Sequence, residues 1–146
     1  MQNYKFILNL ILARNYLHLQ VIIQISSMKR LFRSFGYAWL GIKYVFASEP
    51  NMKIHVAVAL LVIIFGFIFS ISATEWIAVV ICIGLVFSAE MFNTAFETLV
   101  DKVSPGRDPL AGKTKDVAAG AVFLAAIISV VVGIIIFLPK LIQLVF

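Results

Sequence analysis

Hydrophobic residues form three runs that are each long enough to cross a lipid bilayer. The runs cover residues 54–72, 76–100 and 117–138. At about 1.5 Å of rise per residue, about 20 apolar residues span the roughly 30 Å hydrocarbon layer of a membrane. Short polar segments separate the runs, including a turn near residues 72–76. The pattern predicts an all-α membrane protein with three transmembrane helices.

An amphipathic stretch precedes the first run. Over residues 28–47, apolar side chains occupy one side of a helical wheel and most basic side chains occupy the other. Trp and Phe on the apolar face, with Lys and Arg on the polar face, are typical of a helix that lies in the headgroup plane. Pro50 has no backbone N–H and disfavours helical geometry at Glu49, so this surface helix is predicted to end there.

Residues 1–27 show no comparable pattern. Their polar side chains are distributed all around a helical wheel, and the basic start, uninterrupted apolar core and cleavage site of a signal peptide are not all present. We interpret these residues as an N-terminal extension of unknown role, followed by a membrane domain over residues 28–146.

The second run carries polar groups that are unfavourable in lipid. Glu90, Asn93, Glu97 and Asp101 follow one another at steps of three, four and four residues, which places them within about 80° on one helix face. We refer to these four residues as the polar wall. Ionisable groups at membrane depth are rare and mark a site facing a bundle interior or a wet cavity. The alternative is that these acids only pair with basic residues and hold helices together.

Composition supports the membrane assignment and limits the partners. Of the 146 residues, 62% are hydrophobic and 13% are charged, whereas soluble domains have roughly 45–50% apolar and 25% charged residues. The net charge of +5 arises from basic residues beside the apolar runs, where anionic headgroups are the simpler partner, so nucleic-acid binding is not expected. A homo-oligomer is expected, because a few thin spans cannot bury many polar groups inside one subunit.

The distribution of basic residues predicts the orientation of the spans. An excess of Lys and Arg marks the cytoplasmic side of a membrane protein. Basic residues precede the first span and follow the second, whereas the 72–76 turn holds none. They are Lys29, Arg30, Arg33, Lys43 and Lys53, then Lys102, Arg107, Lys113 and Lys115. The polar wall is therefore predicted to run inward from the cytoplasmic surface.

The acidic and basic residues on this side suit phosphoryl transfer. Mg²⁺ binds through one or two carboxylates together with substrate phosphate oxygens, and another carboxylate can accept the proton of an attacking hydroxyl. Glu49 and Asp116 join the polar wall as candidate acids, and Arg107 and Lys115 are candidate phosphate contacts. No glycine-rich phosphate loop is present in the sequence. From the residues alone, a proton or ion pathway explains the acids nearly as well.

The order and spacing of the polar residues resemble a known family. The chain has Glu90-x-x-Asn93-Thr94-Ala95-x-Glu97-x-x-x-Asp101, then Pro109-Leu110-Ala111 and Lys115-Asp116-x-Ala118-Ala119-Gly120-Ala121-Val122. This pattern is similar to that of the prokaryotic diacylglycerol kinase and undecaprenol kinase family of small membrane lipid kinases. The resemblance covers about residues 29–139.

The resemblance implies the architecture and the roles of individual residues. A homotrimer is expected, with each subunit contributing an amphipathic surface helix and three spans, and with ATP and Mg²⁺ used at composite sites. Glu90 is expected to be the general base, and Glu49 and Glu97 are expected to be the ligands of the Mg²⁺ carried with ATP. The implied nucleotide contacts are Arg30, Tyr37, Glu49, Glu97, Gly106, Arg107, Asp108, Lys115 and Asp116. The implied lipid contacts are Arg30, Trp39 and Glu90.

The resemblance also implies the reaction and its location. We expect a kinase in the bacterial inner membrane, with its active site facing the cytoplasm, that phosphorylates the hydroxyl of a lipid alcohol. The segments 49–55 and 136–140 are more similar to the undecaprenol kinase branch, so undecaprenol is the expected acceptor. Diacylglycerol is the alternative acceptor, and a non-enzymatic proton or ion conduit is the alternative of another class. Arg107 and Asp108 stand where the family usually has a histidine.

Overall fold

The computed structural model describes residues 28–145 and is helical almost throughout. Helix α1 covers residues 28–48, α2 covers Pro50–Ile68, α3 covers Ala73–Val103 and α4 covers Pro109–Val145. No strand occurs within the described residues. The predicted all-α class is confirmed, and the predicted extension lies outside the described residues.

Helices α2, α3 and α4 are the three predicted membrane spans. Each is long and apolar enough to cross a bilayer. The 31 residues of α3 extend over about 46 Å, which exceeds the roughly 30 Å of hydrocarbon in a membrane. One end of α3 therefore projects beyond the apolar layer. Asp101 lies in the last turn of the helix.

The corner between α1 and α2 follows the prediction. Helix α1 ends at residue 48, and Glu49 has an extended backbone with φ −86° and ψ 119°. Pro50 then occupies the start of α2, where its missing N–H removes no intrahelical hydrogen bond. The chain divides between Lys43 and Tyr44 into two compact units. In the first unit, the side chains over residues 28–41 are all exposed.

The reversal between α2 and α3 comes earlier than predicted. Helix α2 ends at Ile68, not near residue 72, and Ser70 takes a left-handed φ of 48° in the turn. Ser72 then begins α3 through a capping box. Its backbone N–H donates to Glu75 Oε2 at 2.6 Å, and the Glu75 N–H donates to Ser72 Oγ at 3.3 Å. Because this box fixes the start of α3 at Ala73, the turn must occupy residues 69–72.

Helix α4 is longer than predicted at both ends. It begins at Pro109, where the Leu110 N–H donates to Asp108 Oδ1 at 2.8 Å. The third span was predicted to end at residue 138, and this is wrong, because the helix continues through Pro139 to Val145. A proline removes one backbone hydrogen bond, and neighbouring helices can offset that loss in a membrane helix. Here Lys140 Nζ pairs with Glu75 Oε1 at 3.1 Å and holds this part of α4 to the start of α3.

The buried core lies at the end of the bundle that contains the α2–α3 turn. Helix α3 packs against both α2 and α4. Ile71, Val79 and Ile136 are buried together, and Phe69 packs against Phe137 with ring centroids 6.2 Å apart. This core joins the ends of all three spans on the side of the bundle away from the polar wall.

A close contact between α2 and α3 gives a prediction for stability. A Cβ atom at Gly66 would lie 2.6 Å from Cη2 and 2.8 Å from Cζ2 of Trp76, whose ring also packs on Phe67 with centroids 4.9 Å apart. Overpacking of this kind destabilises a protein by about 1–3 kcal/mol. Gly66→Ala is therefore expected to lower the thermal unfolding temperature of the detergent-solubilised protein.

Gly84→Ala is the matched control for this prediction. Apart from its chain neighbours and the backbone of its own helix, no heavy atom of the described chain lies within 4 Å of a Cβ built at Gly84, and alanine is a better helix former than glycine. Gly84→Ala should keep or raise the unfolding temperature. If the two variants unfold at the same temperature, the contact between Gly66 and Trp76 is not a packing constraint.

Candidate functional site

The polar wall lies on one face of α3, and its burial decreases toward the end of the helix. Glu90 is 1% exposed and Asn93 is 6% exposed. Glu97 is half-buried, and the Asp101 side chain is 66% exposed. The wall therefore leads from an exposed surface to an acid that is enclosed by protein.

Two oxygen atoms of the wall are buried without a partner. Asn93 Nδ2 donates to Glu97 Oε1 at 3.0 Å, which fixes the orientation of both side chains. Glu90 Oε2 and Asn93 Oδ1 have no hydrogen-bond partner among the described residues. An unsatisfied buried acceptor destabilises a fold by about 1–3 kcal/mol. Such atoms are suited to accept hydrogen bonds from a ligand.

The corner between α1 and α2 lies beside Glu90. Val45 and Met52 are buried, and the Phe46 ring meets the Phe87 ring edge to face with centroids 5.5 Å apart. The side chains that interact electrostatically with the Glu90 carboxylate are Asn51, His55, Glu49 and Glu97. Glu90 is thus buried next to this corner and has two further acids as neighbours.

Glu49 and Glu97 are both half-buried, one at the α1–α2 corner and the other on α3. The described chain contains no group of three or more His, Cys, Asp or Glu side chains that could hold a metal ion by themselves. Mg²⁺ commonly takes only one or two carboxylates and completes its coordination with water and substrate phosphates. The donors present therefore fit a magnesium ion that arrives with a phosphate ligand.

The loop between α3 and α4 is fixed at both ends and forms a groove. The Ser104 N–H donates to the Val100 carbonyl at 2.8 Å, and Asp108 caps α4. Across the loop, Lys115 Nζ forms an ion pair with Asp101 Oδ1. The groove has a volume of about 420 Å³, and its charged or glycine lining residues are Asp101, Gly106, Arg107, Asp108, Gly112 and Lys115.

The predicted nucleotide contacts are only partly brought together. Gly106, Arg107, Asp108 and Lys115 share the groove, whereas Asp116 is exposed and lies outside its lining. Asp108 uses one carboxylate oxygen to cap α4. The predicted contacts on α1, which are Arg30, Tyr37 and Trp39, belong to the first compact unit and are exposed there.

An apolar groove between α2, α3 and α4 was not anticipated from the sequence. It has a volume of about 370 Å³, and its lining includes His55 near the start of α2 and Phe137 near the end of α4. Sequence periodicity identifies the apolar faces but not the gap that remains between them. The position of His55, six residues after Glu49, was the only available signal that its ring lies near the acids.

A comparison with protein families identifies the relationship suggested by the polar residues. A family model described as prokaryotic diacylglycerol kinase matches residues 36–137, which is well over half of the chain. The chain belongs to this family. It is therefore a lipid kinase of the membrane, and the alternative of a non-enzymatic proton or ion conduit is set aside.

Individual relatives support the same assignment. The chain is 43% identical over 116 residues to an undecaprenol kinase of Bacillus subtilis (strain 168), a match that covers 80% of this chain and 94% of that protein. It is 40% identical over 112 residues to a diacylglycerol kinase of Synechocystis, covering 76% of this chain and 64% of that protein. A diacylglycerol kinase of Escherichia coli (strain K12) is 25% identical over 106 residues, a match that covers 73% of this chain and 87% of that protein.

Proposed function

We propose that this kinase transfers the terminal phosphate of ATP to the hydroxyl of undecaprenol. The observation that carries the mechanism is the buried Glu90 carboxylate, whose Oε2 has no partner in the described chain. The choice of undecaprenol is supported by the 43% identity with a protein of that name over nearly its whole length. Diacylglycerol is the alternative acceptor, because two further relatives carry that name.

Glu90 would act as the general base of the transfer. The lipid hydroxyl oxygen forms a bond to the terminal phosphorus of ATP, its proton moves to Glu90 Oε2, and the bond from that phosphorus to the ADP oxygen breaks. Proton acceptance by a positioned carboxylate accelerates such a step by about 10²- to 10⁴-fold. The burial of Glu90 would exclude water, which otherwise competes with the lipid as acceptor.

Glu49 and Glu97 would hold the Mg²⁺ that accompanies ATP. Their half-buried carboxylates lie among the groups that interact with Glu90, so a metal bound there would be near the transferred phosphate. When bound, the ion neutralises charge on the phosphate oxygens. The hydrogen bond from Asn93 would hold the Glu97 carboxylate in position for this task.

The groove between α3 and α4 would bind the phosphates of the nucleotide. Arg107 and Lys115 supply positive charge there, and Gly106 allows close approach of a ligand to the backbone. We assign Arg30, Tyr37, Asp108 and Asp116 to the nucleotide as well, and Arg30 and Trp39 with Glu90 to the lipid. These further assignments rest on the resemblance of the motifs.

We place the protein in the bacterial inner membrane as a homotrimer with its site facing the cytoplasm. Basic residues flank both open ends of the α2–α3 hairpin, and the positive-inside rule would place these ends on the cytoplasmic side. Most large apolar side chains of the single chain are exposed, and lipid or neighbouring subunits would cover them. Neighbouring subunits would also complete each site.

A competition assay tests the acceptor. The purified protein is reconstituted in vesicles that contain undecaprenol and diacylglycerol at equal mole fractions, and radiolabelled phosphate from ATP is followed into each lipid. We expect kcat/KM to favour undecaprenol by at least about tenfold, which corresponds to about 1.4 kcal/mol of discrimination. Equal labelling, or a preference for diacylglycerol, would show that the acceptor assignment is wrong.

A further inference from the structure

An ion pair bridges the loop between α3 and α4. Asp101 lies in the last turn of α3, and Lys115 lies in the second turn of α4. Asp101 Oδ1 accepts a hydrogen bond from Lys115 Nζ, fourteen residues away in sequence. Both side chains line the groove that also contains Arg107. The function proposed above gives Lys115 a role but leaves Asp101 without one.

The pair restricts the position of the Lys115 ammonium group. A free lysine side chain has about 2 kcal/mol of rotamer entropy, which it loses when it binds a ligand. The ammonium group has three N–H donors, and Asp101 is its only hydrogen-bond partner within the described residues. Lys115 is therefore held at the groove and still has donors for a phosphate.

The other charges of the groove support this interpretation. Asp108 directs a carboxylate oxygen to the Leu110 N–H, and Arg107 is exposed at the loop. Asp101 is thus the acid that fixes the position of Lys115, which is the second cation of the groove besides Arg107. Its side chain is 66% exposed, so its charge is screened by water and repels a bound phosphate only weakly.

We propose that Asp101 is a positioning residue that holds Lys115 in place for the phosphates of the nucleotide. This inference rests on the proposed function, in which Lys115 contacts ATP. Asp101 itself does not touch the substrate. Its contribution is to reduce the entropy that Lys115 loses when the nucleotide binds, so its removal should affect nucleotide affinity and not acceptor binding.

The experiment compares Asp101→Asn, Lys115→Met and the double variant. Initial rates give KM for ATP, KM for the lipid and kcat, and equilibrium binding of radiolabelled ATP with Mg²⁺ gives an affinity that does not depend on turnover. Lys113→Met is the matched control, because Lys113 lies two residues from Lys115 and lines a different groove beside Phe96. Thermal unfolding of each variant measures any structural effect.

Asp101→Asn should raise KM for ATP about fivefold and weaken ATP binding to the same extent, as expected for the loss of a partly exposed ion pair. KM for the lipid should stay at the wild-type value. Lys115→Met should raise KM for ATP by about 10- to 100-fold. In the Lys115→Met background, Asp101→Asn should have no further effect, because the group that it positions is gone. Lys113→Met should match the wild type.

Three results would overturn the proposal. A lower KM for ATP in Asp101→Asn would mean that Asp101 withholds Lys115 from the nucleotide. A lower unfolding temperature with unchanged KM would mean that the pair only braces two helices, and additive effects in the double variant would mean that Asp101 acts independently of Lys115. If the wild type neither binds ATP nor transfers its phosphate, the proposed function itself fails, and this inference fails with it.

Discussion

Glu90→Gln is expected to lower kcat by about 10²- to 10⁴-fold, the range that a positioned general base contributes. Gln has nearly the same shape as Glu but cannot accept the proton of the attacking hydroxyl. The packing around this buried position should remain intact, because no volume is removed. KM for ATP should change little, since other residues are proposed to hold the metal and the nucleotide. Steady-state kinetics in lipid vesicles provide both values.

Glu75→Gln serves as the control for Glu90→Gln. It makes the same chemical change in the same helix, but at the end where Glu75 pairs with Lys140 and caps α3. It should lower stability and leave kcat of the folded protein near the wild-type value. If Glu90→Gln mainly raises KM for ATP while kcat is retained, the roles of Glu90 and the metal-binding acids have been exchanged.

Glu49→Ala and Glu97→Ala are expected to raise the Mg²⁺ and ATP concentrations needed for half-maximal activity by about 10- to 100-fold. This is the range found when groups that support a metal site are removed. Each substitution removes one of the two carboxylates proposed to bind the ion. Because a magnesium ion takes few protein ligands, loss of either one should weaken use of the metal–nucleotide complex. Titrations of activity with Mg²⁺ at saturating lipid measure this effect.

Glu97→Gln separates metal binding from packing. Its amide oxygen can still accept the hydrogen bond that Asn93 Nδ2 gives to Glu97 Oε1, but its charge is absent. A Mg²⁺ requirement as high as that of Glu97→Ala identifies the charge as the essential property. A requirement at the wild-type level would show that Glu97 only orients Asn93, and the metal assignment would be withdrawn.

The spans and the polar wall could be predicted from the sequence because they depend on local periodicity. An apolar run of about 20 residues has few alternatives to a membrane helix, and steps of three and four residues place Glu90, Asn93 and Glu97 on one face whatever surrounds them. The corner between α1 and α2 could be predicted for the same reason, since Pro50 directly restricts the backbone conformation of Glu49. Helix ends were predicted less well. Ser72 and Glu75 form a capping box at the start of α3, where the apolar pattern alone predicts a turn.

Tertiary contacts account for what the sequence did not reveal. Pro139 disfavours a helix locally, yet α4 continues through it while Ile136 packs in the core and Lys140 pairs with Glu75. The pairing of Asp101 with Lys115 also depends on how the loop folds back, which no spacing rule specifies. The unpartnered oxygen of Glu90 becomes visible only when every neighbouring donor is placed.

Transfer of the terminal phosphate of ATP to undecaprenol tests the central claim most directly. The wild-type protein is reconstituted in vesicles with undecaprenol and supplied with Mg²⁺ and ATP labelled at either the terminal or the innermost phosphorus. We expect label from the terminal position in the extracted lipid and none from the innermost position, with the transfer strongly reduced in Glu90→Gln. The account is contradicted if the terminal label appears only as inorganic phosphate, or if Glu90→Gln labels the lipid as fast as the wild type.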